Sequence, residues 1–186
     1  MITGLPLDGN PVTGKIEAHK FRDMVEQLLG VRPPDKVEGQ KGSKTGGLKT
    51  TWLQTHFREL PDGADDATVQ RLYLYTNFPL PTFLLCVFIS ISPSDSSLVF
   101  YRYARAYIMW IFGKVLFPDS GGSDVSWMYL PLLREWDEAG RYSWGSASLA
   151  YLYRQLDEAC RRSKGSSNMG GCVLGLQVWM WERGFL

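Results

Sequence analysis

Histidine and cysteine are scarce in this sequence, with two His and three Cys among 186 residues. Metal sites and Ser–His triads need several such side chains, or carboxylates, converging on one point. Cys86, Cys160 and Cys172 are widely spaced, odd in number and form no CxxC pair. They predict buried thiols in a reducing compartment rather than a disulfide framework or a zinc site. His19 and His56 stand apart from any cluster, so we expect no metal centre.

Excess charge of one sign is also missing, because the formal net charge is only +1. This excludes a global basic field for nucleic acid or anionic membrane and leaves only a local patch open. The longest apolar run, residues 78–91, contains two prolines and is shorter than the roughly 18–20 residues that span a bilayer. The first residues, MITGLPLDGNPVTG, lack the basic start and apolar core of a secretory signal. We therefore expect no association with a membrane.

Hydrophobic residues make up 45% of the chain and aromatic residues 13%, which argues for a folded core rather than disorder. The strongest helical pattern lies in GRYSWGSASLAYLYRQLDEACRRSK at 140–164. Its apolar residues recur at steps of three and four: Leu149, Leu152, Tyr153, Leu156, Ala159 and Cys160. This spacing predicts an amphipathic helix near 146–162, capped by Ser146 or Ser148. We take it as the central helix of a single domain over residues 1–186.

The rest of the chain also shows helical spacing, with no βαβ alternation. With the central helix, about six or seven helices are predicted. Further helices are predicted over residues 15–29 with a stop at Gly30, 48–60, 66–75, 99–112, 126–136 and 172–183. The last is apolar on nearly every side, which is typical of a helix buried in the core. The sequence thus predicts an all-α fold.

Three segments depart from helical spacing. Residues 3–14 are rich in Gly and Pro and predict a tight, ordered loop. Residues 35–47 are polar and glycine-rich and predict a flexible surface loop. Residues 77–98 combine three prolines with a β-branched apolar middle and a serine-rich end, and predict an irregular, atypical insert.

Sequence motifs for chemistry are weak. Residues 9–16, GNPVTGKI, miss the P-loop pattern at Ile16, where a hydroxyl would hold magnesium, and no strand precedes them. Glu135, Asp137 and Glu138 are adjacent acids at a helix end and are expected to face solvent. We assign no catalytic, cofactor-binding or metal-binding residue and expect no cofactor.

Four cations near the end of the predicted central helix are the candidate contacts for a partner or for nucleic acid: Arg154, Arg161, Arg162 and Lys164. Arg102 and Arg105 on another helix could add to such a surface, whereas Asp157 and Glu158 interrupt it. Arginine contacts with phosphate are generic and sensitive to salt, and no zinc-finger or recognition-helix motif accompanies them.

Four stretches together resemble one family: GLPLDGNPVTG at 4–14, YARAYIMWIFGKVLFPD at 103–119, SWMYLPLLREWDEAGRYSWGSASLAYLYRQLDEACR at 126–161 and GGCVLGLQVWMWER at 170–183. The chain resembles the plant mobile domain of the MAINTENANCE OF MERISTEMS (MAIN-like) proteins, also carried by some plant transposons. The resemblance covers residues 3–34 and 48–186, apart from 77–98. Family members usually have more chain on both sides, so the resemblance implies a partial domain.

The resemblance implies an all-helical domain of nuclear plant proteins connected with transcriptional control, transposon silencing and meristem maintenance. It also implies a serine/threonine phosphoprotein phosphatase as a partner of some members. The family is often labelled aminotransferase-like, but a pyridoxal-phosphate enzyme needs a Schiff-base lysine in a cofactor pocket, and this sequence offers no such lysine with its partners. The first hypothesis is a non-enzymatic protein-interaction domain, and the alternative is a nucleic-acid-binding module of mobile-element origin.

Overall fold

A computed structural model describes residues 5–14, 20–34, 47–58, 98–161 and 168–184, without the side chains of residues 99 and 100. Its elements, in chain order, are α1 Phe21–Leu29, β1 Gly47–Lys49, α2 Thr50–Phe57, α3 Leu98–Ile111, a π-helical turn Phe112–Leu116, β2 Asp124–Ser126, a 3-10 helix Trp127–Leu133, α4 Trp136–Ala139, α5 Trp144–Arg161 and α6 Val173–Glu182. Helix predominates, so the predicted all-α class is confirmed. The helix predicted over 66–75 lies outside the described residues, and so do the loop predicted over 35–47 and the insert predicted over 77–98, except that Gly47 begins β1 and Leu98 begins α3.

The helix at the centre of the described core is α3. It packs against α1, α2 and the 3-10 helix, and it continues into the π-helical turn. Its buried apolar residues are small or aliphatic: Ala104, Ala106, Ile108, Met109 and Ile111. The prediction that the helix near 146–162 is central is therefore wrong, because α3 lies among more of the other elements.

Helix α5 exists as predicted but is buried mainly along its first half. It begins at Trp144, before the predicted caps, and its buried residues are Trp144, Gly145, Ser148 and Leu152. The Trp144 indole donates to the Ala139 carbonyl at 2.8 Å, which fixes the start of the helix against α4. The predicted apolar stripe therefore divides, since Leu152 faces the core whereas Leu149 and Tyr153 face outward.

A two-stranded ribbon corrects two predicted helix starts. Gly47–Lys49 pairs antiparallel with Asp124–Ser126, so residues 48 and 49 are extended and Ser126 ends a strand directly before the 3-10 helix. Helix α2 begins at Thr50, whose N–H and hydroxyl both donate to the Ser123 carbonyl at 2.9 and 3.1 Å. A Cβ at Gly113 would lie 2.8 Å from Val125 Cβ, so glycine there lets the ribbon lie against the π-helical turn.

The single helix predicted up to Trp136 is divided into the 3-10 helix and α4. Pro131 lies at the fifth position of the 3-10 helix. In the interior of an α-helix the proline ring would clash with the carbonyl four residues earlier. The chain therefore adopts the tighter helix until Leu133 and starts again at Trp136.

The predicted stop after α1 is confirmed. Gly30 has φ of 81°, a left-handed conformation that glycine adopts without a steric penalty. Its N–H donates to the Glu26 carbonyl at 2.8 Å and so closes the last turn.

Arg105 is buried in α3 and connects three segments. Its Nε donates to the Leu133 carbonyl and its Nη2 to the Arg134 carbonyl, both at 2.9 Å, at the end of the 3-10 helix. Its Nη1 donates to the Leu28 carbonyl, in the last turn of α1, at 3.5 Å. Positive charge suits these carbonyls, because helix carboxyl ends carry unpaired acceptors and a partial negative charge.

Two aromatic rings lie beside the same guanidinium. The Trp136 and Tyr101 ring centres lie 5.2 and 6.0 Å from its central carbon, and the two rings stack on each other. Burial lowers the pKa of Arg105, and the nearby Glu135 opposes that shift. The side chain is therefore a structural connection, not the surface contact that the sequence suggested for nucleic acid.

Arg105→Lys tests this connection. Lysine keeps the charge but offers one nitrogen in place of a three-nitrogen fork, so at least one buried carbonyl loses its donor. We expect the free energy of unfolding to fall by about 1–3 kcal/mol in urea titrations. Arg58→Lys, at an exposed position of the same residue type, is the control and should change it little. Equal losses in both variants would contradict the role given to Arg105.

Leu152→Asp and Leu149→Asp test the division of the α5 stripe. Leu152 is 6% exposed and Leu149 is 49% exposed. Aspartate at 152 buries an unpaired charge and should lower the free energy of unfolding by several kcal/mol. At position 149 the same substitution should cost less than about 1 kcal/mol. Thermal unfolding followed by circular dichroism measures both, and the reverse order would mean that the helix faces the other way.

Candidate interaction surface

Helix α6 is apolar on almost every side and yet none of its ten residues is buried. Leu174 is 50% exposed, Met180 42% and Trp181 57%. The prediction that this helix is a core element is therefore wrong. An all-round apolar helix is normally enclosed by protein, so this exposure marks α6 as a surface for association.

A second apolar surface runs along α5. We call it the α5 shoulder and define it as Leu149, Tyr153, Leu156 and Cys160. The steps of four, three and four residues place these side chains on one side of the helix. Tyr153 is 65% exposed, and Leu156 is half-buried.

The cysteines are only partly as predicted. Cys160 is exposed at the end of the α5 shoulder, which contradicts the expected buried thiol. Cys172, just before α6, is buried as predicted. Cys86 lies outside the described residues.

Two glycines bring the start of α6 beside α5. Gly171 has φ of 91°, and a Cβ there would lie 3.0 Å from Leu152 Cα. Its N–H donates to the Pro118 carbonyl at 2.9 Å. At Gly170 a Cβ would be 2.7 Å from the Gln155 side chain. Only glycine fits so close to α5, and α6 therefore begins next to the shoulder without covering it.

The predicted N-terminal loop forms over residues 5–14, the part of it that the structure describes, and holds the start of α5 through backbone hydrogen bonds. The Asn10 N–H donates to the Arg141 carbonyl at 2.8 Å, and the Ser143 N–H donates to the Asn10 carbonyl at 2.9 Å. The Gly145 N–H donates to the Pro6 carbonyl at 2.9 Å. Loop carbonyls thus take the place of a side-chain cap for the first turn of α5.

The same loop extends the apolar surface. The Ser146 hydroxyl donates to the Leu7 carbonyl at 2.6 Å, and a Cβ at Gly145 would lie 3.1 Å from Leu7 Cδ2. Leu7 is 49% exposed. Since Gly145 is one turn before Leu149 on α5, the Leu7 side chain lies beside the beginning of the shoulder.

The predicted cationic surface is only partly described. Arg154 and Arg161 are exposed, and Arg161 forms an ion pair with Asp157 at 2.8 Å. Arg162 and Lys164 lie outside the described residues. Of the cations on α3, Arg105 is buried, and a Cβ on Gly30 would lie 2.8 Å from the Arg102 guanidinium.

Catalytic features are sparse in the described part of the chain. No group of three or more His, Cys, Asp or Glu side chains in it could hold a metal ion. The His56 ring is hydrogen-bonded to the Trp52 carbonyl at 2.9 Å, and the residue is exposed. Burial raises the pKa of Tyr129 and of Tyr151, which keeps both phenols neutral. These shifts are opposite to those that prepare a general base for neutral pH.

Among the described helices, none combines the length and the apolar character needed to cross a bilayer.

Comparisons with known proteins give one family. The model of the plant mobile domain matches residues 1–184. "Serine/threonine-protein phosphatase 7 long form homolog" of Arabidopsis thaliana is 33% identical over 98% of this chain and 11% of its own length. "Protein MAIN-LIKE 1" of the same plant is 32% identical over 97% of this chain and 29% of its own. "Protein MAINTENANCE OF MERISTEMS", also of Arabidopsis thaliana, is 31% identical over 97% of this chain and 30% of its own length. The chain thus spans less than a third of these relatives, and no solved structure matches it.

Gly9→Ala and Gly122→Ala test how the loop supports α5. Both glycines have positive φ, of 136° and 61°. A Cβ at Gly9 would overlap the Arg141 carbonyl oxygen, whereas at Gly122 nothing lies within 4 Å. Gly122→Ala should cost about 1 kcal/mol through backbone strain alone, and Gly9→Ala about 2 kcal/mol or more. Urea titrations measure both, and equal costs would show that the loop moves aside freely.

Proposed function

Because the chain belongs to the plant mobile domain family, we propose that it is a non-enzymatic helical domain that binds protein partners in the plant nucleus. It would do so as part of a MAIN-like or transposon-derived protein. The processes served would be transcriptional control, transposon silencing and meristem maintenance.

The observation that carries the proposal is the exposure of α6. A ten-residue helix is marginal by itself in water, and one with apolar residues on all sides has no polar face to offer to solvent. Aromatic residues and methionine are enriched at protein interfaces, and α6 exposes Met180 and Trp181. Binding of another protein would remove this surface from water.

A serine/threonine phosphatase is the first partner to test. The reason is that one relative of this chain is named as a homologue of such a phosphatase. The matched region makes up only 11% of that relative. A domain of this kind could therefore act beside a phosphatase catalytic domain, in the same chain or as a separate protein.

An assignment as an interaction domain also agrees with the chemistry of the described residues. They provide no candidate metal cluster, and the buried phenols described above remain neutral. The aminotransferase-like label of the family gains no support from this part of the chain.

The proposal is tested by capturing a plant serine/threonine phosphatase catalytic domain on the immobilised 186-residue chain at low and high salt. We expect retention that persists in high salt, because apolar contacts are screened little by ions. Trp181→Glu and Leu174→Glu should each reduce retention at least about tenfold, since they place a charge in the contact. Gln54→Glu, at an exposed position on α2, is the matched control and should bind like the unmodified chain.

Nucleic-acid binding would give a different result. A gel shift with DNA or RNA that disappears in high salt, and with Arg154→Ala and Arg161→Ala, would contradict the proposal and favour the alternative function. Failure to retain the phosphatase at either salt concentration would remove that partner.

A further inference from the structure

We infer that two copies of this chain associate by reciprocal docking, in which α6 of each copy covers the α5 shoulder of the other. The inference rests on the proposed function, because it names a second copy as one partner of the exposed apolar faces. It adds an arrangement, a stoichiometry and the residues on each side of the contact.

The first argument is that these two faces do not cover each other within one copy. If α6 lay on its own shoulder, both surfaces would be largely buried. Leu149 and Tyr153 on the shoulder are instead 49% and 65% exposed, and Leu174 and Trp181 on α6 are 50% and 57% exposed. Each copy therefore presents two separate apolar surfaces.

The second argument is that the two surfaces are neighbours. The chain at Gly171 passes close to Leu152, and α6 begins two residues later, at Val173. Leu152 is adjacent in sequence to Tyr153 of the shoulder. One two-fold axis beside this point can bring each α6 onto the opposite shoulder, so the same contact is made twice.

The third argument is the area available. The apolar side chains that are more than a third exposed on these two faces include Leu149, Tyr153, Val173, Leu174, Met180 and Trp181. Taking roughly 150–250 Å² for a large side chain, they expose about 600 Å² in each copy. Reciprocal docking would bury about 1,200 Å² over the pair, which reaches the lower end of the range for specific interfaces.

Charge does not oppose this pairing. The net charge of +1 leaves two copies almost without mutual repulsion. Beside the shoulder, Asp157 and Arg161 already neutralise each other in an ion pair. A partner that brings an apolar, almost uncharged helix, as a second copy does, therefore fits the shoulder.

Sedimentation equilibrium of the 186-residue chain tests the association. We expect a concentration-dependent monomer–dimer equilibrium with a dissociation constant in the micromolar range, as suits a small apolar interface. Tyr153→Glu on the shoulder and Trp181→Glu on α6 should each raise this constant at least about tenfold. Gln54→Glu on α2 should leave it unchanged, and circular dichroism confirms that each variant is folded.

Mixing the two variants tests reciprocity. Tyr153→Glu disrupts the shoulder of one copy, and Trp181→Glu disrupts α6 of the other copy. In a mixed pair, the unmodified α6 of the first copy can still dock on the unmodified shoulder of the second, so one contact stays intact. We therefore expect the mixture to associate more tightly than either variant alone. Equal or weaker association of the mixture would overturn reciprocal docking, as expected if α6 pairs with α6 instead.

A monomer at all concentrations would also overturn the inference. Protection of the Leu149 and Tyr153 side chains from solvent in that monomer would place α6 on its own shoulder. Neither result bears on the phosphatase, whose capture is measured separately. If a monomeric chain captures the phosphatase, the further inference fails and the proposed function holds. If the chain dimerises but does not capture the phosphatase, self-association holds and the phosphatase is not a partner.

Discussion

The positive charge of Arg105 inside the protein is the constraint on which much of the described fold depends. A buried guanidinium needs acceptors on all its nitrogens, and here backbone carbonyls from α1 and from the end of the 3-10 helix supply them. Those segments must therefore end beside α3. Ala104 and Ala106, on either side of Arg105, are buried as well. One side chain thus helps to place three elements that are distant in sequence.

Sequence patterns predicted the helices better than their surroundings. The steps of three and four residues in α5, and the glycine after α1, are local signals, and both elements were found. The pairing of β1 with β2 joins segments some 75 residues apart, so no local pattern near Leu48 or Val125 reveals it. Burial of Arg105 was also unpredictable, because its acceptors come from other parts of the chain.

The candidate surface was hidden from sequence reasoning for a related reason. Periodicity shows that residues share a face, but which face is covered depends on elements packed from elsewhere. Leu152 and Tyr153 are neighbours in one apolar stripe, yet one is 6% and the other 65% exposed. For α6, apolar composition correctly indicated a helix that avoids water, and the error lay in assuming that the described part of one copy would provide the cover.

The loop over residues 5–10 uses backbone groups for its hydrogen bonds to the start of α5. Pro6, Leu7 and Asn10 all contribute carbonyl groups, while the side chains of Leu7, Asp8 and Asn10 are exposed. Related genes can therefore exchange these side chains without altering the support of the helix, provided that Gly9 is kept. Substitutions in this loop can therefore change which partner binds without changing the fold that holds α5.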